Sequence, residues 1–495
     1  MNNLPKIAEL QELKSISADN ANKIIGLCHG VFDLLHIGHI KYLQEAKSKC
    51  DILIVTLTQD KFVNKGPGRP SFHENQRADA IASLECVDFV AINSWPTSIE
   101  TIELLKPNLY IKGPDYNDLS DDLTGNILKE KSAIEKIGGS LVFTSGETHS
   151  SSELINQMME TNQDLSKSFW WKTTRKKIKF NDIVDSFNSI KDLNVCIIGE
   201  DITDIYSSYR PLGRSSKGAS LVFEKGESQV YDGGSVAIAK NLAAIHSNVT
   251  LITNNSQKEM LPNIDRKSLD LGNEILKERI IDNHTSEKVI EFYNNNFELS
   301  WNQDSEKLFV KYLNEKKFDI VICADFGHGF FTKSIINTIE SLDAFVALNV
   351  QTNAGNRGYN YLSKWNSADF ISITSEELSL TLQDKTSTLN EKIKNLRNQI
   401  DFDKIAVTQG FEGCTFFDKN FEYHTPAFAV SVMDRVGAGD TFLALIVGHT
   451  FLNKINFNSI GLIGNLAASQ TLKYEANKET LNYLDLIKAL EHMLK

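Results

Sequence analysis

The chain has 495 residues and few cysteines. Six stand apart at Cys28, Cys50, Cys86, Cys196, Cys323 and Cys414. With no Cys-x-x-Cys pair and no Cys/His cluster, a zinc site or a disulfide framework is disfavoured, and a reducing, cytoplasmic setting fits. Long apolar runs are also missing. Stretches such as 52–57 fall far short of the roughly 20 residues that cross a bilayer, so no membrane partner is expected. The opening Met-Asn-Asn-Leu-Pro-Lys has no basic segment leading into an apolar one, and no signal peptide is expected. No internal repeat or low-complexity tract is present. Positive charge is in deficit: 52 Lys and Arg face 64 Asp and Glu, for a net charge of −12. Nucleic-acid binders are more often basic, so no nucleic-acid partner is expected, although this balance leaves room for a local basic pocket around a nucleotide.

What is present is ordinary for a globular chain, with 41% hydrophobic and 23% charged residues. The length exceeds what one core supports and predicts two or three units. The first part reads as strand, loop, helix, repeated. Apolar runs at 24–28, 52–57, 87–92, 109–111 and 141–143 predict buried strands. Helices are predicted at 39–47, where Ile40, Leu43 and Ala46 share a face, and at 76–84, 98–105 and 151–163. This alternation implies a parallel sheet with helices on both faces and ligands at the carboxyl ends of its strands. Further apolar strands at 195–198, 249–253, 320–324, 344–349, 370–373 and 405–408 predict a second α/β unit. The expected division is an extension at 1–22, a first domain at 23–163, a linker at 164–192 and a second domain at 193–495. The linker is polar and basic but carries Phe169, Trp170 and Trp171. These aromatics suit docking on a neighbouring domain, or, as a sharper alternative, contact with a membrane surface or partner.

Two constellations carry chemistry. In the first, Gly30-Val31-Phe32-Asp33 follows a strand and precedes His36-Ile37-Gly38-His39. Gly30 lets backbone approach a phosphate. His36 and His39, three apart, face one side of a helix start, where free N–H groups and the helix dipole already favour anions. Two imidazoles there can donate to phosphate oxygens during in-line attack. By itself, a His-x-Gly-His could equally be a core pair or a zinc-binding pair. The context resembles the cytidylyltransferase-like nucleotidyltransferase superfamily, over about residues 22–160. The resemblance extends to the basic loop Lys65-Gly66-Pro67-Gly68-Arg69-Pro70, the helix start Glu74-Asn75-Gln76-Arg77 and the Lys112-Gly113-Pro114-Asp115-Tyr116 motif. It continues in the Ser/Thr-rich stretch Gly146–Ser152. It implies catalytic roles for His36, His39 and Lys65, and nucleotide binding by Gly30, Phe32, Asp33, Arg77, Lys112, Gly113, Asp115, Ser151 and Ser152. Lys65 and Arg77 would neutralise the triphosphate, and the serine hydroxyls would cap phosphate. The superfamily's arginine in the last motif is replaced by Ser145.

In the second constellation, Asp434-Arg435-Val436-Gly437-Ala438-Gly439-Asp440 precedes an apolar helical run. The glycines expose N–H groups at a helix start, an anion hole for a phosphoryl group in transfer, and Asp440 is placed to take the proton of an acceptor hydroxyl. The region from about 193 to 490 resembles the ribokinase-like carbohydrate kinases. The resemblance implies substrate binding by Asp204, Gly233, Gly234 and Asp325. It implies an ATP-side and anion-hole set of Thr408, Gly410, Gly413, Gly437, Ala438 and Gly439, and magnesium binding at Glu376. The chain departs from the family at Ala237, at Ile373 (in the Ile373-x-x-Glu376 element), at Asn349-Val350 and at Val436. The polar segment 349–359 is either a surface loop or a lid whose Arg357 reads hydroxyls or phosphate.

Together the motifs resemble, in swapped order, the bifunctional heptose kinase/adenylyltransferases. The fold class expected is α/β in two domains: a Rossmann-like His-x-Gly-His nucleotidyltransferase, then a ribokinase-like kinase. The implied function is a bifunctional enzyme making a nucleotide-activated sugar. It would use ATP or CTP for the transferase, ATP for the kinase, Mg2+, and a sugar or sugar phosphate as partner. A homodimer is implied by the resemblance alone. The alternative from another class is a transferase whose kinase-like domain is non-catalytic and serves ligand sensing or oligomerisation.

Overall fold

The computed structural model describes residues 6–113, 126–145, 156, 165–254, 262–272, 274–293 and 299–495. The chain divides into two units. One comprises residues 1–172 with Ile487–Lys495; the other is Thr173–Leu486. The division falls inside the stretch read as a linker.

In the first unit, strands β1 (Ile25–Gly30) and β2 (Ile52–Thr58) are apolar at nearly every position, the pattern of strands covered on both faces. All seven residues of β2 are buried. β3 (Phe89–Asn93) lies outside β2. β4 (Leu109–Lys112) pairs on the other side of β1, and β5 (Ser140–Phe143) forms the far edge. The order β3-β2-β1-β4-β5 is parallel throughout. The order reverses between β1 and β4, so a crevice opens beyond the carboxyl ends of those two strands, where such sheets bind ligands.

Helices α1 (Leu10–Asp19), α2 (Ile37–Ser48), α3 (Glu74–Ala82), α4 (Ile99–Leu105) and α5 (Asn126–Lys136) flank this sheet. Leu10 and Leu13 of α1 share a buried cluster with Ile25, Ile102 and Tyr110. The residues read as an N-terminal extension thus contribute core. On the other face, Leu43, Ala46, Ala78 and Ile81 pack with Cys28 and Val55. Trp170 and Trp171 are buried, with rings edge to face at 5.8 Å.

The second unit holds a nine-stranded sheet. β10 (Ile264–Ser268), β9 (Asn248–Thr253), β6 (Asn194–Gly199), β13 (Ile320–Asp325), β14 (Phe345–Val350), β15 (Ser367–Thr374) and β16 (Asp401–Thr408) run parallel in that order. β17 (Cys414–Phe417) and β18 (Glu422–Thr425) add an antiparallel ribbon. A separate four-stranded sheet has the order β12 (Lys288–Tyr293), β11 (Ile275–Asp282), β7 (Asp201–Arg214), β8 (Leu221–Gly233). The apolar-run reading passes over this second sheet because β8 is exposed along nearly its whole length and is rich in Glu, Lys, Ser and Gln. Helix Phe180–Ile190, from the expected linker, buries Ile183, Phe187 and Ile190. Ser186 Oγ lies 2.7 Å from His449 Nδ1, which ties that helix into the second unit.

Candidate active sites

In the first unit the site forms where β1 ends. Phe32 adopts φ 50°, a left-handed conformation rare for a bulky residue. Its ring lies against Gly30, where a Cβ would sit 3.0 Å from Phe32 Cε2. His36 is the N-cap of α2, its Nδ1 accepting from Gly38 N at 3.1 Å. The His36 and His39 rings stack with centroids 4.0 Å apart, and Phe32 meets His39 edge-on at 5.2 Å. The two imidazoles predicted to share a helix start therefore form one surface. Burial lowers the His39 pKa to about 3, and the neighbouring His36 and Lys65 act in the same direction. His39 is neutral at pH 7, so it offers a ring N–H rather than a fixed charge.

Lys65 stands in a loop turned by Gly66 (φ 102°) and Gly68 (φ 72°). Burial, and then the adjacent Arg69, bring its pKa down to about 8. Arg69, quoted in the motif but not assigned a role from sequence, is the cation that loop geometry adds. Its Nη1 is buried, makes no hydrogen bond among the described residues, and lies 3.6 Å from Asp33 Oδ2. Such a guanidinium fork suits an incoming phosphate.

Two residues expected from sequence to bind nucleotide are engaged within the protein itself. Asp33, expected to bind nucleotide, is buried and accepts from Ser71 N (2.6 Å) and Phe72 N (3.3 Å). It shapes the loop that presents Arg69. Arg77, expected to neutralise triphosphate, is 1% exposed. It donates to the carbonyls of Val31, Thr58 (2.7 Å) and Phe72 (3.0 Å) and to Asp60 Oδ1 (2.6 Å). With its fork so engaged, Arg77 staples the loops after β1 and β2 together.

Lys112 ends β4 beside the crevice. Its ammonium sits 3.1 Å from Glu130 Oε2 and 5.1 Å from the centre of the Tyr110 ring. Glu130 Oε1 in turn accepts from Ser98 Oγ (2.6 Å) and Tyr110 OH (3.0 Å). Burial would raise the Glu130 pKa, but the Lys112 charge and these hydrogen bonds outweigh it and the net shift is downward. A Cβ at Gly113 would meet nothing within 4 Å among the described residues. Asp115, Ser151 and Ser152 lie outside the described residues. Ser145 is held by Glu45, its N–H 3.0 Å from Oε2.

The second unit holds a cavity of about 280 Å³ whose lining includes Asp204, Gly234, Lys277, Arg279, Thr408 and Asp440. Helix Ala438–Leu452 begins at its edge. Gly437 caps that helix at φ 84°, and a Cβ there would fall 1.9 Å from Asn477 Oδ1. Only glycine fits on both counts. Gly437 and Gly439 line the cavity, and among the described residues a Cβ at Gly439 would meet nothing within 4 Å. The helix start is thus an open anion cradle. Burial raises the Asp440 pKa to about 6, a donor from Gln351 opposes the rise, and the Asp204 and Glu377 carboxylates add to it. Gln351 Nε2 donates to Asp440 Oδ1 at 2.7 Å and to Asn349 Oδ1 at 2.8 Å. Segment 349–359 is accordingly pinned, not loose: Asn356 Nδ2 also donates to Phe326 O at 2.7 Å.

Asp204 bonds and pairs with Arg279 of β11, and Gly233 approaches so closely that a Cβ would sit 2.3 Å from Asp204 Oδ2. Lys277, Arg279 and Gln351 carry no motif of their own, so nothing in the sequence singled them out. Alternation along β11 could have suggested that Lys277 and Arg279 share a face.

Three further expected assignments fall on residues that lie outside this cavity lining. Asp325, expected to bind substrate, is wholly buried. It accepts from Gly327 N at 3.1 Å and pairs with Lys364 Nζ at 2.5 Å, outside the cavity lining. Glu376, expected to bind magnesium, is exposed and ion-paired with Arg357 at 2.5 Å. Its neighbour Glu377 lines the cavity instead, accepting from Thr352 N (3.1 Å) and Thr374 N (2.8 Å), and burial raises its pKa. Gly410 and Gly413, expected at the ATP side, are absent from that lining. They form a turn at φ 60° and 102° next to Thr408, which does line the cavity.

Residues 27–177 match the family model described as cytidylyltransferase-like, and residues 285–481 match the pfkB family carbohydrate kinases. Bifunctional protein HldE of Helicobacter pylori (strain G27) is 38% identical over 162 residues, covering 32% of this chain and 33% of that protein. HldE of Aliarcobacter butzleri (strain RM4018) is 41% identical over 128 residues, covering 24% and 27%. The chain spans about a third of the length of the curated relatives it matches, and the match lies in its N-terminal region. Among solved structures, Arabidopsis thaliana ribokinase complexed with ribose and ATP aligns with 61% of this chain and 99% of its own, at 15% identity and a TM-score of 0.47. The chain thus carries an N-terminal cytidylyltransferase-like domain followed by a pfkB-family carbohydrate kinase domain.

Proposed function

We propose that this chain makes a nucleotide-activated sugar, with a transferase domain at about 23–163 and a kinase domain at about 193–495. The kinase transfers the γ-phosphoryl group of ATP to a hydroxyl of a sugar or sugar phosphate. The transferase then joins a nucleotidyl group from ATP or CTP to a heptose-like sugar phosphate and releases pyrophosphate. The observation that carries this reading is the stacked His36/His39 pair beside Lys65 and Arg69, at the switch point of a parallel sheet. In nucleotidyl transfer a phosphate oxygen of the sugar attacks the α-phosphorus and pyrophosphate leaves. The imidazole N–H groups would donate to the oxygens that gain charge, while Lys65, Arg69 and Lys112 would hold the triphosphate.

In the kinase, Asp440 would take the hydroxyl proton and the N–H groups around Gly437 and Gly439 would receive the phosphoryl oxygens. Asp204, Lys277 and Arg279 would orient the acceptor. Magnesium suits the donor set: Glu377 is a carboxylate facing the cavity with a raised pKa, and Asp440 is a second. Glu377 would hold the ion, which supplies charge neutralisation of the ATP phosphates, and Asp440 would stay free to act as the base. A second reading, a kinase fold kept for binding alone, draws on Gln351, whose amide occupies an oxygen of Asp440.

Pyrophosphate release from ATP and from CTP, with a panel of sugar 1-phosphates, tests the transferase. Release should fall by about 10²-fold or more in His36→Ala and His39→Ala. Release unaffected by either substitution refutes the site. ADP formation with a panel of sugars and sugar phosphates separates the two kinase readings, since a binding module forms none.

A further inference from the structure

The loop that carries Lys65 and Arg69 is backed by residues from the far end of the sequence. Ile487–Lys495 belong to the first unit. Ala489, Leu490 and Met493 are buried. A Cβ on Gly66 would lie 3.7 Å from Met493 Cγ and 3.9 Å from Ala489 Cβ, which is van der Waals contact. Asn156 Nδ2 donates to the His492 carbonyl at 2.9 Å, a second tether from the transferase unit. The segment also brings charge. Glu491 and Lys495 pair at 2.7 Å and are partly exposed. After burial and the loop's own Arg69 and Asp33, these two groups are the next to act on Lys65, Lys495 lowering its pKa and Glu491 raising it. His492 is driven to about 2 by burial and then by Lys65, Lys495, Arg69 and Lys488, so it is neutral. From α2, His39 faces Lys65 as well.

We propose that residues 487–495 are a positioning element of the transferase site, packing Met493 and Ala489 under the Gly66 turn so that the Glu491/Lys495 pair is held near Lys65. The proposal rests on the nucleotidyltransferase reading of the first unit. The glycine at 66 follows from φ 102°, a conformation L side chains rarely adopt, while the helix beneath lies at ordinary van der Waals distance.

The test uses the full chain. Acetic anhydride labelling of Lys65, followed by mass spectrometry across pH, reports the midpoint at which this amine loses its proton, near 8 in the parent protein. Glu491→Gln should lower that midpoint and Lys495→Gln should raise it, each by on the order of half a pH unit and less in high salt. The alkaline limb of pyrophosphate release should move the same way in each variant. Met493→Ala should raise KM for the NTP about tenfold through a misplaced loop, while ADP formation by the kinase is unchanged. A Lys65 midpoint that ignores both charge changes, or moves the same way in both, overturns the proposal, as does an unchanged KM in Met493→Ala. If the midpoints split but the parent protein releases no pyrophosphate, the coupling stands and the transferase reading falls.

Discussion

Replacing Arg77 with lysine separates its two roles. A triphosphate ligand would tolerate lysine with a modest rise in KM, because the positive charge survives. A staple would not. Arg77 is 1% exposed and its fork serves three backbone carbonyls and Asp60. A lysine ammonium is shorter and not planar, so it reaches one or two of these four acceptors. At least one and commonly two of the three carbonyls are then left without this donor, at about 1–3 kcal/mol each. The Asp60 bond counts for less, since that carboxylate is partly exposed. The expected loss is about 3–5 kcal/mol for Arg77→Lys, confined to the transferase unit. Because the chain has two units and one transition cannot be assumed, hydrogen exchange of β1 and β2 amides is the suitable assay. Those amides should lose protection by that amount while amides of β13 and β14 keep theirs. Unchanged protection combined with a raised KM for the NTP would refute the staple and restore the triphosphate role.

Other outcomes follow from the same geometry. Glu130→Gln should strand the Lys112 ammonium, costing about 3–5 kcal/mol before any local rearrangement, and should raise KM for the NTP. The Glu130 pKa is depressed in the folded state, so its contribution is present above its unfolded value and lost as pH falls; acid titration of stability should flatten in this variant. Kinase kcat/KM should fall as pH drops through about 6, where Asp440 gains its proton, and ADP formation should vanish in Asp440→Asn. Glu376→Ala should leave the kinase near normal, because its pair with Arg357 is exposed and worth about 0–1 kcal/mol. Glu377→Gln should weaken magnesium dependence roughly 10- to 100-fold. The reverse ranking in a magnesium titration would return the metal role to Glu376.

Both candidate clusters are legible in the sequence because they are built on backbone turns. Glycine next to a strand end, two histidines three apart and a glycine pair before a helix are local patterns, and the structure keeps His36 with His39 and Gly437 with Asp440. Side-chain direction is what sequence conceals. An arginine reads the same whether it faces a phosphate or three carbonyls, so sequence does not distinguish Arg77, which bonds three carbonyls, from Arg69, whose Nη1 makes no hydrogen bond among the described residues. Glu376 and Glu377 differ by one step of a helix, and only the fold decides which faces the cavity. Asp325 ends a strand where ligands bind, yet its carboxylate turns back to Gly327 and Lys364. The four-stranded sheet escaped notice because β8, exposed almost throughout, needs no apolar alternation. Residues 487–495 could not be linked to Lys65 from sequence at all, since the contact spans more than four hundred residues.

On the proposed reading, one chain performs two independent phosphorus chemistries. Phosphorus NMR of the full chain with ATP, CTP, Mg2+ and a sugar phosphate, following ADP and pyrophosphate together, tests it most directly. Asp440→Asn should abolish ADP formation and leave pyrophosphate release from a supplied sugar 1-phosphate intact, and His39→Ala should do the opposite. Loss of both products from either single substitution, or neither product from the parent protein, would contradict the account.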